Sequence, residues 1–298
     1  MENLAVVNQE KVVSAERPVC AQIIRSARKR MGLTQQEVAK VMNVSQSALS
    51  KVEHGILIPD LFQWYDFCQT TGIHELSCKF GFIDNGQNIV LKHNPREGSY
   101  QIPERYAHHR GEAVRNILPF LDFMKKKMGA TAYRDYLKKV HMDEDYFVDY
   151  TNQVNMNFLM DMTGELINHA GLNAQTIKEL TSAVRQPQFH GVLSQGYEKV
   201  KTSEKVVNLV VKNMEKYQLD THYKILDQKT DSVDIAVAPN SHMRIFDYKN
   251  SQWGSFLCDY QKSWLSEVAH FENLQGMELK ELECHYQGAP QCIYRMAG

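Results

Sequence analysis

The 298-residue chain has no apolar run approaching the roughly 20 residues that a bilayer-spanning helix needs. A helical membrane protein is therefore not expected. The start, MENLAVVNQEKVV, has neither the charged region nor the apolar stretch of a secretory signal, so the expected location is cytoplasmic. There is no excess of either charge, the formal net value being −1. That balance excludes a general nucleic-acid coat, which would need a large positive field. Internal repeats and low-complexity tracts are lacking, and so is the G-x-x-x-x-G-K-S/T loop of an ATPase. Cysteines number only six. In a reducing compartment they point to free, metal-bound or redox-active thiols rather than a disulfide framework.

What is present is enough to build a large core. With 43% hydrophobic and 23% charged residues, a chain of this length accommodates two domains. Residues 1–18 are polar and have no core-facing stripe, so they read as a flexible arm. The densest information lies in Leu33 to Pro59, LTQQEVAKVMNVSQSALSKVEHGILIP. Thr34 is an N-cap type with Glu37 three residues on, as in a capping box, and Val38, Val41 and Met42 recur on one helical face. Ala39 is small where a second helix must cross, and Asn43 tolerates the left-handed backbone that a tight turn demands. Ser45 is placed to cap a second helix. In that helix Leu49 and Val52 face inward while Gln46, Ser47, Ser50 and Lys51 face out. Such side chains suit double-stranded DNA, because Gln pairs with adenine, Ser with bases or phosphate, and Lys with phosphate.

On these residues the stretch from about Cys20 to Ile73 resembles the Cro/repressor (XRE) family of helix-turn-helix modules, including Glu53, Gly55 and Pro59. Asn43 departs from the glycine usual in the family's turn. The resemblance implies that Gln35 holds phosphate and that Gln46 and Ser47 reach base edges. Between Cys20 and Gly55 the positive residues Arg25, Arg28, Lys29, Arg30, Lys40 and Lys51 outnumber Glu37 and Glu53, giving a locally basic module. The alternatives are a small packed bundle and nothing more, or a former DNA-binder reused for protein contacts.

The expected boundaries are the helix-turn-helix at 19–75, a linker at 76–110, a helical region at 111–200 and an α/β domain at 201–298. Turn signals at Asp84-Asn85-Gly86 and Asn94 to Gly98 mark the linker, and FGFIDNGQNIVLKH could form a hairpin within it. Ile117, Leu118, Leu121 and Met124 form one helical stripe. Phe158, Leu159, Met162 and Leu166 form another. Both read as core, with a dimer interface as the alternative.

In the last hundred residues HYKILDQ and DSVDIAVA read as strands, WGSFLCDYQKSWLSEVAHFEN as a long helix, and MELKELECHYQ and QCIYRM as strands about a Gly288-Ala289-Pro290 turn. The fold class is thus multidomain, an all-α helix-turn-helix domain followed by an α/β domain with an antiparallel sheet. Cys258, Glu281, Cys284 and Cys292 give the spacing C-x22-E-x2-C-x7-C. A hairpin about Gly288 sets Cys284 opposite Cys292, and three thiolates with a carboxylate complete a tetrahedral zinc site. Glu281 and Cys284 point to opposite faces of an ideal strand, so they need a bulge; Glu283, His285 and His270 are substitutes for the fourth ligand. Buried inert thiols and a Cys284–Cys292 disulfide remain as other readings. Cys20, Cys68 and Cys78 show no such pattern.

This end of the chain, Ser203 to Met296, resembles the 4-vinyl reductase-like domain, which is also the sensor module of phenol- and toluene-responsive bacterial activators. The resemblance implies a structural zinc on Cys258, Glu281, Cys284 and Cys292, and a small apolar or aromatic effector held between sheet and helices. The candidate lining is Tyr223, Tyr248, Trp253, Phe256, Trp264 and His270, with core packing as the alternative for each. The combined expectation is a non-enzymatic, one-component transcription regulator that binds an operator of two half-sites as a homodimer. Without an ATPase motif it would act by occupancy. The competing expectations are a haem-type gas sensor or enzyme fused to a DNA-binding module, and a domain that only dimerises.

Overall fold

In a computed structural model of the chain, the described residues are 19–85, 102–173, 175–229, 231–241, 243, 246, 253–271, 274 and 277–298, without the side chains of 253–255. The expected arm at 1–18, most of the linker and the second half of the expected hairpin lie outside them. These residues fall into two compact units. One contains residues 19–85 with Asp143–Tyr150, and the other contains Ile102–Met142 with Thr151–Gly298. The helical region and the α/β region thus share one unit.

The first unit contains helices α1 (19–30), α2 (Gln35–Val41), α3 (Gln46–Glu53), α4 (Leu61–Thr71) and the short α5 (Ser77–Phe80). Its boundaries follow local chemistry. Thr34 and Glu37 form the reciprocal capping box of α2, Ser45 accepts from the Ala48 N–H at the start of α3, and Asp60 with Gln63 repeats the box on α4. Asn43 takes a φ of 50° in the turn between α2 and α3, where its short polar side chain lowers the cost of left-handed backbone. Ile23, Ile24, Val38, Leu49, Val52 and Phe67 are buried together beneath the crossing.

Residues 143–150 complete this unit from far along the chain. Ile83 and Asp149 form a parallel bridge, with the Ile83 N–H donating to Val148 O at 2.7 Å and the Tyr150 N–H to Ile83 O at 3.0 Å. Val148 enters the same core. On the outer side of α1, Arg30 pairs with Asp149 at 2.8 Å and Lys29 with Asp145 at 3.1 Å, and Arg25 approaches Asp145 at 3.5 Å.

In the second unit come α6 (Glu104–Ala107), β1 (Glu112–Ala113), α7 (Val114–Lys139), β2 (Gln153–Val154), α8 (Met156–Ala170), α9 (Ile177–Thr181), α10 (Ser194–Tyr197) and α11 (Ser203–Lys212). Strands β3 (Thr221–Gln228) and β4 (Ser232–Pro239), helix α12 (Trp253–Val268) and strands β5 (Glu278–Glu283) and β6 (Cys292–Ala297) follow. The four long strands form an antiparallel sheet in the order β3-β4-β6-β5. Alternate residues Val233, Ile235 and Val237 on β4, and Cys292, Tyr294 and Met296 on β6, are buried, so one face of the sheet is covered. The two helical stripes expected in α7 and α8 are buried within the single chain. They are core, and neither is an exposed dimer face. The small β1–β2 pair was not foreseen, because two-residue strands carry no periodic signal. It sets Glu112 beside Asp220: a Cβ on Gly111 would lie 1.7 Å from Asp220 Oδ1, so only glycine fits there.

A buried ion pair locks the first unit. Arg28 Nε and Nη2 donate to the two Glu53 carboxylate oxygens at 2.5 and 3.0 Å. Burial alone would raise the Glu53 pKa, but the hydrogen bonds from Arg28 and Gln35 outweigh it and hold the carboxyl below its ordinary range. A depressed folded-state pKa contributes stability above the unfolded value of about 4.3, lost as the pH falls through the folded value. Replacing Glu53 by Ala strands the guanidinium, and we expect a loss of about 3 kcal/mol in this unit. A calorimetric melt should show its transition lowered by roughly 10–20 °C; a shift within experimental scatter would remove the pair from its structural role.

Candidate nucleic-acid interface and metal centre

Helix α3 presents the residues expected to meet DNA. Gln46, Ser47 and Lys51 are exposed, as is Ser45, whose hydroxyl is engaged in capping; Ser50 is half-buried. The inward Leu49 and Val52 are fully buried, so α3 is fixed on the core by one face and offers the other to solvent. Gln35 has a partner within the module. Its side-chain amide donates to Glu53 Oε2 at 2.8 Å, which ties the start of α2 to the end of α3. A phosphate contact by Gln35 would compete with that bond.

The basic character read from the sequence also changes. Of the six positive side chains counted there, Arg25, Arg28, Lys29 and Arg30 pair with Asp145, Glu53 and Asp149. Asp145 and Asp149 lie 116 and 119 residues away from their partners Lys29 and Arg30, beyond the reach of a local charge count. Lys40 and Lys51 are the exposed cations of the helix-turn-helix.

In the second unit the four residues of the C-x22-E-x2-C-x7-C spacing converge. One ligand atom from each of Cys258, Glu281, Cys284 and Cys292 lies within 4.8 Å of all the others. The strand problem is solved by a bulge: Glu281 pairs with Tyr294 and Glu283 with Ile293, leaving Leu282 as the extra residue. That shift of one restores Glu281 and Cys284 to the face of Tyr294 and Cys292. Helix α12 brings Cys258 onto them, with Sγ 3.3 Å from Glu281 Oε1 and 3.7 Å from Cys284 Sγ. A zinc ion bonded to four ligands at about 2.3 Å separates them by about 3.8 Å, so a small contraction suffices. Cys284 and Cys292 stand as free thiols, not a disulfide.

The surroundings favour thiolate. Hydrogen bonding from the Cys258 thiol and from the His285 N–H, at 3.3 Å, lowers the Cys292 pKa to about 6 despite burial. The same bond to Cys292, together with burial, raises that of Cys258. Lys262 Nζ lies 3.5 Å from Glu281 Oε2 and offsets part of the negative charge. Of the substitute ligands considered, His270 directs Nδ1 to Ser266 O and His285 directs Nδ1 to Ala289 O. Neither belongs to the cluster, and Glu283 pairs with Ile293 on the other face.

A pocket open to solvent lies beside the cluster, with Cys292 and His285 in its wall. Of the expected lining, Tyr223 and Trp264 are there. Phe256 stacks on Tyr260 outside the lining, and His270 lies beyond the end of α12; Tyr248 and the Trp253 side chain are outside the described residues. The helix instead contributes Leu257, Tyr260, Gln261 and Trp264. Their spacing of i, i+3, i+4, i+7 is the signal that could have found them. Glu112, also in the wall, comes from β1 with no local signal. Burial, then the nearby Asp220, raise its pKa well above the usual carboxylate range.

Residues 24–76 match the helix-turn-helix family, which defines the first unit as a module of the DNA-binding type. No curated protein matches the chain. Among solved structures the chain is similar to an H-NOX protein from S. oneidensis in the Fe(II)NO ligation state. Identity is 12% and TM-score 0.46, over 62% of this chain and 97% of that one. It is also similar to an Fe(II) unliganded H-NOX protein from K. algicida at 10% identity and TM-score 0.41, over 62% and 95%. At those scores the likeness carries no inference about cofactor. The buried His190 already uses both ring nitrogens, toward Tyr217 Oη and Val184 O at 2.6 Å each. No helix among the described residues is long and apolar enough to cross a membrane.

If the cluster holds metal, Cys284→Ser should drop bound zinc below half an equivalent and lower the melting temperature of the second unit together. An unchanged zinc-to-protein ratio would end the assignment.

Proposed function

We propose that the protein is a one-component, DNA-binding transcription regulator that binds as a homodimer and responds to a small neutral ligand in its second unit. The observation that carries the reading is the coexistence of two features in one chain. One is an exposed polar recognition helix on a helix-turn-helix, and the other is a Cys3Glu cluster set against a pocket. Gln46 and Ser47 read base edges, Lys51 neutralises phosphate, and Ser45 and Ser50 steady the helix on the backbone. With only Lys40 and Lys51 exposed on the helix-turn-helix, non-specific attraction is modest. Two copies on two half-sites about 34 Å apart then supply affinity.

Zinc is held by Cys258, Cys284, Cys292 and Glu281. Four protein ligands leave no open position, so the metal fastens α12 to the β5–β6 hairpin and fixes one pocket wall. This agrees with the resemblance of Ser203 to Met296 to the 4-vinyl reductase-like domain. The ligand is small and apolar, because Leu159, Val237, Leu257 and Trp264 form much of the wall, and neutral, because Glu112 supplies no fixed charge. It carries a hydrogen-bonding group. The Tyr260 hydroxyl is buried and no hydrogen bond to it is found among the described residues, a deficit that such a group removes. Ligand acts by favouring one dimer geometry.

Replacing Gln46 and Ser47 together by Ala should weaken binding to a selected cognate duplex by about a hundredfold while random duplex changes little. Equal losses on both would take these residues out of base readout. Tyr260→Phe should leave the ligand-free melting temperature unchanged or raise it, since it deletes an unsatisfied buried hydroxyl; a clear drop would show that the hydroxyl has a structural partner. A Soret band in protein purified from its own host would replace the zinc-sensor reading with a haem sensor.

A further inference from the structure

Immediately after the recognition helix the surface turns apolar. Ile56, Leu57, Ile58, Leu61, Phe62 and Tyr65 are 62, 44, 48, 75, 79 and 48% exposed. The backbone beneath them is well tied. Gly55 takes a φ of 71°, the Ile56 and Leu57 N–H groups donate to Lys51 O at 2.9 and 3.2 Å, and Pro59 is buried. Helix α4 follows at once, capped by Asp60 and anchored inward by Phe67 and Cys68. The six side chains therefore form a fixed surface. Taking 150–250 Å² for a large aromatic and less for an aliphatic, the patch exposes on the order of 600 Å². That is at the upper end of roughly 300–600 Å² for the largest patch on a monomer and approaches the roughly 800 Å² that each partner gives to a stable interface.

We propose that this patch is a self-association surface and that its occupant is the same patch of a second copy of this chain. Three observations select a second copy. Between Ile56 and Tyr65 the one charged side chain is Asp60, whose carboxylate accepts the Gln63 N–H, so the surface has no charge pattern with which to choose an acidic or basic partner. A two-fold interface needs one patch that complements itself, and an apolar surface without fixed charge meets that need. The patch also begins three residues beyond Glu53, the last residue of α3. Pairing there joins two recognition helices into one rigid pair, as reading two half-sites about 34 Å apart requires. The stripes of α7 and α8 cannot serve, being buried within one chain. The proposal rests on the dimeric DNA-binding reading and assigns its interface.

Sedimentation velocity of the full chain at micromolar concentrations, without DNA, tests it with Leu61→Asp/Phe62→Asp and the milder Leu61→Ser/Phe62→Ser. We expect a dimer for the unmodified protein and association weakened at least about a hundredfold in both variants, with unchanged melting temperatures. If the charged variant melts early, the Ser variant decides. A dimer that both variants leave intact would overturn the assigned surface while sparing the dimeric reading. A monomer for the unmodified chain would overturn both. Loss of base readout in the Gln46 and Ser47 variant is a separate measurement, so failure of the DNA-binding reading is distinguishable from failure of this one.

Discussion

The pairing of α1 with residues 143–150 holds the first unit together. Arg25 and Lys29 meet Asp145, Arg30 meets Asp149, and Ile83 forms a bridge to the same segment. The chain leaves the second unit after Met142, packs this segment into the helix-turn-helix core through Val148, and re-enters the second unit at Thr151. The two units are thus not beads on a single thread. Exposed ion pairs are individually weak, but the Asp149 carboxylate is almost wholly buried, so this contact is not a loose surface one.

Much of the helix-turn-helix was legible because its determinants are local. Thr34 with Glu37, Asn43 at positive φ and the Ser45 cap each act within four residues, and the structure uses them all. The basic face was misread for the converse reason. A count over adjacent residues contains Arg25, Lys29 and Arg30 but not the aspartates that pair with them from more than a hundred residues downstream. The bond from Gln35 to Glu53 likewise joins residues 18 positions apart, beyond what a local pattern contains.

The Cys3Glu quartet was legible because its spacing carries geometry. Hairpin symmetry about Gly288 relates Cys284 to Cys292, and the parity conflict at Glu281 demanded the bulge that Leu282 provides. The pocket was legible only in part. Trp264 and Tyr223 were named from their elements, but aromatic character was an incomplete guide along α12, where the helical spacing of Leu257, Tyr260, Gln261 and Trp264 selects the lining. Glu112 owes its raised pKa to burial and to the nearby Asp220, brought together from distant segments, which no local pattern encodes. On the proposed reading these parts belong together: the metal fixes a wall, the pocket takes a neutral ligand, and the helix-turn-helix is the output.

Native mass spectrometry of the full chain purified from its own host tests that account most directly, since it reports stoichiometry, metal and retained ligand in one spectrum. The account predicts a dimer carrying one zinc per chain and no haem. A metal-free monomer, or a mass increment corresponding to haem, would contradict it.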